Sequence, residues 1–137
     1  RVFTKKELAG PFGRTLLRPT RIYARLLLEA MAAIDIKAMA HITGGGFYDN
    51  IPRVIPAGCG VRIQKRSWPV PRIFRVIQER GGVAEAEMYR TLNMGIGMTA
   101  VVKAADAGRM IRWLAARGQR AWVIRELTRD SSGVVVE

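Results

Sequence analysis

The chain has 137 residues, of which 49% are apolar and 25% are charged, and its formal net charge is +12. This length fits one domain with its own core, and this composition excludes a disordered or fibrous protein. No apolar run reaches the roughly 18 residues needed to span a bilayer. The single cysteine, Cys59, excludes an internal disulfide and a cysteine metal cluster, which suits a cytoplasmic protein.

The positive charge permits a polyanionic partner, such as nucleic acid, a membrane surface or nucleotide phosphates, without selecting one. Basic residues are spread over residues 1–37, 53–80 and 103–129 and alternate with apolar ones. Such spacing is typical of the solvated faces of amphipathic elements. A nucleic-acid-binding module stays open as an alternative, although Trp68, Trp113 and Trp122 fall at core-like positions instead of forming a stacking platform.

Residues 1–19 contain Gly10, Pro11, Gly13 and Pro19, and they predict an extended segment with a short helix at residues 5–9. Thr20 is predicted to be the N-cap of a helix of about four turns. The buried face of that helix is predicted from three-and-four spacing of apolar residues, namely Ile22, Tyr23, Leu26, Leu27, Ala30, Met31 and Ile34.

The middle of the chain predicts short elements around a glycine loop. Residues 38–42 predict a buried strand or turn that leads into the loop 43–46, and residues 47–54 predict a short helix broken at Pro52. Alternation around Val61 and Ile63 predicts a half-exposed strand. A helix is predicted to begin at residues 67–69 and to end at Gly81, and a second short helix is predicted over residues 85–92.

The last third predicts a strand over residues 96–102 and a helix over residues 104–117 that Gly118 ends. Two final strands are predicted at residues 121–127 and 134–136, joined by the turn residues 129–133. Alternating helices and strands predict one α/β (α+β) domain over residues 1–137, with a mixed β-sheet packed with helices.

The strongest local functional pattern is His41 followed, after Ile42, by Thr43 and three glycines. Successive glycines adopt positive φ readily and can aim backbone N–H groups at a phosphate or oxyanion. A flexible turn explains the same glycines without a ligand. His41, at the end of an apolar run, is compatible with a structural role as well as with proton transfer.

A second candidate is the segment 91–98, in which Asn93, Gly95 and Gly97 precede a strand. It predicts a backbone that lies close to a neighbour or ligand. The alternative is a helix C-cap in which Asn93 supplies the left-handed turn. The sequence contains no recognisable carboxylate dyad, metal-ligand cluster, catalytic triad or Walker loop.

Five segments, in this order and spacing, resemble the signatures of one family, the aminoimidazole ribonucleotide synthetases (phosphoribosylformylglycinamidine cyclo-ligases). They are residues 17–23 (LRPTRIY), 40–47 (AHITGGGF), 50–54 (NIPRV), 68–69 with 73–74 (WP and IF), and 87–91 with 93–98 (EMYRT and NMGIGM). The resemblance covers nearly the whole chain and is to the carboxy-terminal domain of the family.

The resemblance implies the second half of a two-domain enzyme whose amino-terminal domain, absent from this sequence, mainly binds ATP and Mg²⁺ and forms most of a homodimer. The implied reaction, in purine biosynthesis, is ATP-dependent cyclisation of formylglycinamidine ribonucleotide to 5-aminoimidazole ribonucleotide, with release of ADP and phosphate. The isolated chain is expected to be inactive. No specific nucleic acid and no membrane partner is implied.

The resemblance also implies roles for particular residues. His41 is expected to be the catalytic hydrogen-bond or proton partner, and no metal ligand is expected in this chain. The expected phosphate- or nucleotide-binding residues are Thr43, Gly44, Gly45, Gly46, Asn50, Asn93, Gly95, Thr20 and Arg21. Replacing Gly45 by valine is expected to abolish turnover and to leave the fold largely intact. Another enzyme of the same ATP-dependent superfamily, such as formylglycinamidine ribonucleotide synthase or selenophosphate synthetase, stays as an alternative.

Overall fold

The computed structural model describes residues 3–4, 6, 10–129 and 133–137. The helices within these ranges are α1 (Pro11–Leu16), α2 (Ala24–Ala33), α3 (Gly46–Asn50), α4 (Arg72–Gly81), α5 (Glu85–Thr91) and α6 (Ala104–Ala115). The strands are β1 (Ile36–His41), β2 (Gly60–Ile63), β3 (Met98–Val102), β4 (Leu127–Thr128) and β5 (Gly133–Val136). Single 3₁₀ turns lie at Pro52–Val54 and Lys65–Ser67.

The strands form two sheets. β1 and β3 pair antiparallel, with Ile36 opposite Val102, His41 opposite Met98 and an irregularity between Ile36 and Ala38. In the second sheet β2 lies in the middle, antiparallel to β4 and parallel to β5. The predicted α/β class with mixed strand directions and packed helices is confirmed.

Two clusters of buried side chains hold these elements together. The larger cluster includes the fully buried Phe47, Ile42, Ile63 and Met88 and lies between α3, α5 and β2. The smaller cluster, Ile34, Met110 and Leu114, joins α2 to α6. Because Ile42 and Phe47 flank the glycine loop, burying them fixes both ends of that loop on the larger cluster.

The amino-terminal segment differs from its prediction. Residues 11–16, predicted as extended, form α1, with Pro11 at the first helical position. Proline is favoured there because its fixed φ suits a helix and its missing N–H would have no partner. The short helix predicted at residues 5–9 lies, apart from Lys6, outside the described residues.

Helix α2 begins at Ala24, so the prediction of Thr20 as its N-cap is wrong, and Tyr23 occupies the cap position without a side-chain bond. Ala30 and Ile34 are buried as predicted, whereas Ile22 is 86% exposed and Met31 51% exposed. The stretch 18–23 lies outside the helix, which removes Ile22 from its face. Packing on α6 buries only a narrow stripe of α2, which leaves Met31 on its flank.

Helix α4 begins at Arg72, three residues after the predicted start. Pro69 and Pro71 explain the delay, because a residue before proline is pushed into extended conformation, as Trp68 is (φ −142°, ψ 156°). Helix α6 ends at Ala115 rather than at residue 117, and β3 begins at Met98 rather than at residue 96.

The strand predicted over residues 121–127 shrinks to β4. Its preceding residues still follow β2, since the N–H of Gln64 donates to the carbonyl of Ile124 (3.0 Å). The ladder is interrupted at Arg125, whose φ is +144°. Of the predicted turn 129–133, residues 130–132 lie outside the described residues. Among the described helices, none has the length and apolar character needed to cross a bilayer.

Candidate functional site

The two predicted loops lie side by side. β1 ends at His41 and β3 begins at Met98, and these two residues pair across the antiparallel sheet. Beyond this pair, the N–H of Ile42 donates to the carbonyl of Gly97 (2.9 Å). The loop 43–46 therefore leaves the same end of the β1–β3 sheet at which the loop 93–97 arrives.

The glycine loop is held from within. The N–H of Gly46 donates to the carbonyl of Thr43 (3.1 Å). The buried Asn50 donates from Nδ2 to the carbonyls of Gly44 (3.1 Å) and Gly46 (2.7 Å). Within the described ranges, the N–H groups of Gly44 and Gly45 have no hydrogen-bond acceptor. The loop thus fixes its carbonyls and leaves two donors unused.

Gly44, Gly45 and Gly46 differ in whether the structure has room for a side chain. A Cβ at Gly46 (φ +54°) would overlap the carbonyl oxygen of Tyr89, and one at Gly45 (φ +89°) would lie 2.5 Å from Oδ2 of Asp49. A Cβ at Gly44 meets nothing within 4 Å. Packing and backbone conformation therefore require the second and third glycines, and open space lies beside the first. The φ of Gly45 argues against the expectation that valine leaves the fold largely intact, because a left-handed conformation disfavours a β-branched residue.

Asn50 stabilises the glycine loop through its own hydrogen bonds, independently of any ligand. We expect Asn50→Ala to destabilise the domain by about 1–3 kcal/mol, since it leaves two carbonyls of a partly buried turn without their donor. Urea unfolding of the variant and of the parent measures the difference. Asn50→Asp is a second test, because it keeps the volume and removes the same Nδ2 donor. Parent-like stability in both variants would contradict this role.

The second loop is a tight turn supported by α4. Oδ1 of Asn93 accepts from the N–H of Gly95 (2.9 Å), and the N–H of Ile96 donates to the carbonyl of Asn93 (2.8 Å). Positive φ is adopted by Met94 (48°) and Gly95 (94°), so the hypothesis that Asn93 supplies the left-handed residue is wrong. A Cβ at Gly95 would lie 2.5 Å from Cδ of Pro71.

Trp68 fastens the second loop to the core. Its indole Nε1 donates to the carbonyl of Met94 (3.0 Å), and its ring lies 5.8 Å from that of Phe47 and 6.5 Å from that of Tyr89. Burial raises the pKa of the Tyr89 phenol, so this group stays protonated near neutral pH. The backbone of Tyr89 touches the glycine loop and its ring touches Trp68, so one cluster supports both loops.

The remaining predicted site residues lie around this end of the sheet. His41 and Thr43 are exposed, and the Tyr23 ring stands edge-on to the His41 ring at 5.9 Å. Thr20 and Arg21 are exposed on the segment that leads to Tyr23. In the described part of the chain neither side chain forms a hydrogen bond or ion pair, so their place in the site stays a prediction.

Two further residues at this site were not singled out from the sequence. The carboxylate of Asp49 packs against Gly45, and Tyr23 contacts both His41 and the backbone position of Gly97. Asp49 follows Gly45 by four residues at the start of α3, a spacing that could have indicated the contact. Among the described residues, no cluster of three or more His, Cys, Asp or Glu side chains is arranged to hold a metal ion.

Comparison with known proteins shows the family. Residues 2–137 match the family described as "AIR synthase related protein, C-terminal domain". The chain is 46% identical over 132 residues to a phosphoribosylformylglycinamidine cyclo-ligase of Caldicellulosiruptor bescii, and this match covers 96% of the chain and 39% of the relative. Cyclo-ligases of Geobacillus thermodenitrificans (47% over 129 residues) and Burkholderia ambifaria (47% over 119 residues) match 94% and 87% of the chain.

The chain spans less than two fifths of these relatives, since the second and third matches cover 37% and 34% of their lengths. The matching family is named for a carboxy-terminal domain, and the match extends over nearly all of the sequence. This chain therefore belongs to the AIR synthase related family and corresponds to its C-terminal domain.

Proposed function

We propose that this domain forms one wall of the active site of a phosphoribosylformylglycinamidine cyclo-ligase. The enzyme would cyclise formylglycinamidine ribonucleotide to 5-aminoimidazole ribonucleotide, with release of ADP and phosphate, in cytoplasmic purine biosynthesis. The observation that carries the proposal is the unused N–H pair of Gly44 and Gly45, beside open space at Gly44 and the exposed His41. The relatives, which are named as phosphoribosylformylglycinamidine cyclo-ligases, support the same reaction.

The chemistry explains why such a site suits the reaction. The formamide oxygen takes the γ-phosphate of ATP, a nitrogen attacks the activated carbon, and phosphate leaves as the ring closes. Fixed donors that need no reorganisation stabilise phosphate charge better than water does. The N–H groups of Gly44 and Gly45 are such donors, with Thr43 beside them and Asn93 and Gly95 on the facing loop. In this proposal His41 accepts the proton that the attacking nitrogen releases.

Magnesium and most of the ATP contacts belong, in this proposal, to an amino-terminal domain. Among the described residues, the carboxylate that packs against the glycine loop is that of Asp49. A carboxylate repels a bare phosphate, and Mg²⁺ brought with ATP would offset that repulsion. Asp49 therefore fits a metal-bound phosphate better than a free one.

Exposed apolar side chains support the presence of a second domain. Leu17 is 84% exposed, Ile22 86% and Leu28 68%, and all three lie near the amino-terminal end of the chain. Burial of such side chains against another surface is favourable, because it removes apolar area from water. We propose that the amino-terminal domain of the same enzyme covers them, and that this other domain provides most of the homodimer contact.

The proposal is tested by turnover. We expect this domain by itself to form no aminoimidazole ribonucleotide from substrate and ATP, because in this proposal an amino-terminal domain holds most of the ATP contacts. An enzyme with both domains should form it. Turnover by the chain alone would contradict the two-domain arrangement.

Replacing His41 by alanine in the full-length enzyme should lower kcat by about 100-fold or more, the range typical of a general acid or base.

Nucleic-acid binding is the alternative from another class, and the surface gives it little support. Trp68 is buried, and Trp113 and Trp122 are each covered by an arginine, with centroid distances of 3.6 and 5.1 Å. Exposed arginines and lysines also pair with carboxylates, as Arg25 does with Glu29. No set of open aromatic rings is left among these tryptophans for bases to stack on.

Weak, salt-sensitive DNA binding is therefore expected. In about 0.15 M salt the dissociation constant for random duplex should be weaker than roughly 10⁻⁶ M, and it should weaken further as salt displaces the diffuse attraction. A fluorescence titration at two salt concentrations measures it. Sequence-selective binding well below that constant would favour the nucleic-acid alternative.

A further inference from the structure

We propose that Tyr23 is a positioning residue for His41, with its hydroxyl packed against the backbone of Gly97. The catalytic consequence rests on the proposed function, whereas the contact itself does not. The Tyr23 ring meets the His41 ring edge-on, with centroids 5.9 Å apart and an interplanar angle of 68°. A Cβ built on Gly97 would overlap the Tyr23 hydroxyl oxygen and lie 3.2 Å from Cζ.

The backbones of Tyr23 and His41 are both held at the ends of regular secondary structure elements, which fixes the positions from which the two side chains extend. Tyr23 is the N-cap residue of α2, and its carbonyl accepts from the N–H of Leu27 (2.9 Å). His41 is the last residue of β1 and pairs with Met98. Edge-on geometry is the favoured arrangement of two such rings.

The His41 imidazole has no polar interaction in the described part of the chain that would fix its orientation. The His41 side chain is exposed, and within the described ranges it forms no hydrogen bond or ion pair. In the described part of the chain, Tyr23 is the aromatic ring that contacts the imidazole. Tyr23 belongs to neither of the two buried clusters nor to the side chains packed against them, so a role in core stability does not explain its position.

The contact also joins the amino-terminal segment to the site. Residues 18–23 have no regular structure, and Tyr23 brings their end to the point where the two loops meet. A displacement of this segment would move the ring that orients His41. Orientation matters because a misplacement of about 1 Å in a reacting group can cost about 100-fold in rate.

The contact is tested on this chain by NMR, which is simplified because the chain has a single histidine. Nuclear Overhauser effects between the Tyr23 and His41 ring protons are expected in the parent and in Tyr23→Phe. In Tyr23→Leu the His41 ring signals should shift, since the ring current is lost. Ile22→Ala, one residue away and 86% exposed in the parent, is the control that should leave them unchanged. Unchanged His41 ring signals in a folded Tyr23→Leu would overturn the contact.

The catalytic consequence is tested in the full-length enzyme. Tyr23→Leu should lower kcat by up to about 100-fold with KM little changed, and Tyr23→Phe should recover most of the loss. If His41→Ala lowers kcat and Tyr23→Leu does not, the positioning role is overturned and the proposed function stands. If neither variant lowers kcat, His41 has no catalytic role, and the positioning role is overturned with it.

Discussion

Gly46→Val is expected to unfold the domain or leave it barely folded. At this position φ is +54°, and a Cβ would overlap the carbonyl oxygen of Tyr89 and lie 2.9 Å from the carbonyl carbon of Arg90. A strained φ costs about 1–3 kcal/mol and overpacking about 1–3 kcal/mol more. The sum of about 2–6 kcal/mol is a large part of the 5–15 kcal/mol that stabilises an ordinary domain.

Gly44→Val is the matched variant, two residues earlier in the same loop. Nothing lies within 4 Å of its Cβ, and its φ is not in the left-handed region, so the free energy of unfolding should change by less than about 1 kcal/mol. In the full-length enzyme, however, its side chain would occupy the space beside the free N–H groups. Loss of one such donor contact costs about 100- to 1000-fold in kcat.

Urea unfolding and turnover, measured on both variants, separate structure from function in this loop. A Gly44→Val enzyme with parent-like kcat and KM would show that the open side of the loop meets no ligand. A Gly46→Val domain as stable as the parent would show that the contact with α5 is not tight. Gly45→Val cannot serve this purpose, because its φ of +89° and the nearby Asp49 carboxylate disturb the fold as well.

Local pattern was sufficient where neighbours in sequence decide the structure. The periodicity of residues 104–117 and the glycine pair at residues 81–82 predicted α6 and the end of α4, because side-chain spacing and backbone freedom are local properties. The sequence pattern was insufficient at the starts of helices, where two local preferences compete. Thr20 suits an N-cap, yet α2 begins only at Ala24. Trp68 precedes a proline, and the extended conformation this imposes outweighed the helical spacing beyond it.

In the candidate site, too, the sequence predicted local features but not the contacts between distant segments. The glycine runs predicted positions where the backbone approaches another group closely. They did not identify three of the partners, because these lie far along the chain. Gly46 meets Tyr89, Gly95 meets Pro71, and Gly97 meets Tyr23. The contacts at Gly46 and Gly97 join residues 40–47 to residues 87–91, and residues 93–98 to residues 17–23. The spacing of these segments of the family resemblance therefore reflects contacts in three dimensions that no single segment indicates.

Trp68→Ala is expected to cost about 3–5 kcal/mol of the free energy of unfolding, because it empties a large buried volume. Trp68 is 4% exposed, packs on Phe47 and Tyr89, and donates to the carbonyl of Met94. Removing it takes away the core contact and the hydrogen bond that fixes the second loop. Trp68→Ala should therefore lower the free energy of unfolding and also alter the geometry of residues 93–97.

Two variants show which part of the indole matters. Trp68→Phe keeps much of the volume but has no N–H, so the Met94 carbonyl loses its donor, which should cost about 1–3 kcal/mol. Trp122→Ala is the control for a tryptophan that is only partly buried at the edge of the same cluster, and it should cost less than Trp68→Ala. Denaturant unfolding gives the three values. If Trp68→Ala proves no more costly than Trp122→Ala, the larger cluster does not depend on this indole, and the support of the second loop must come from Pro71 instead.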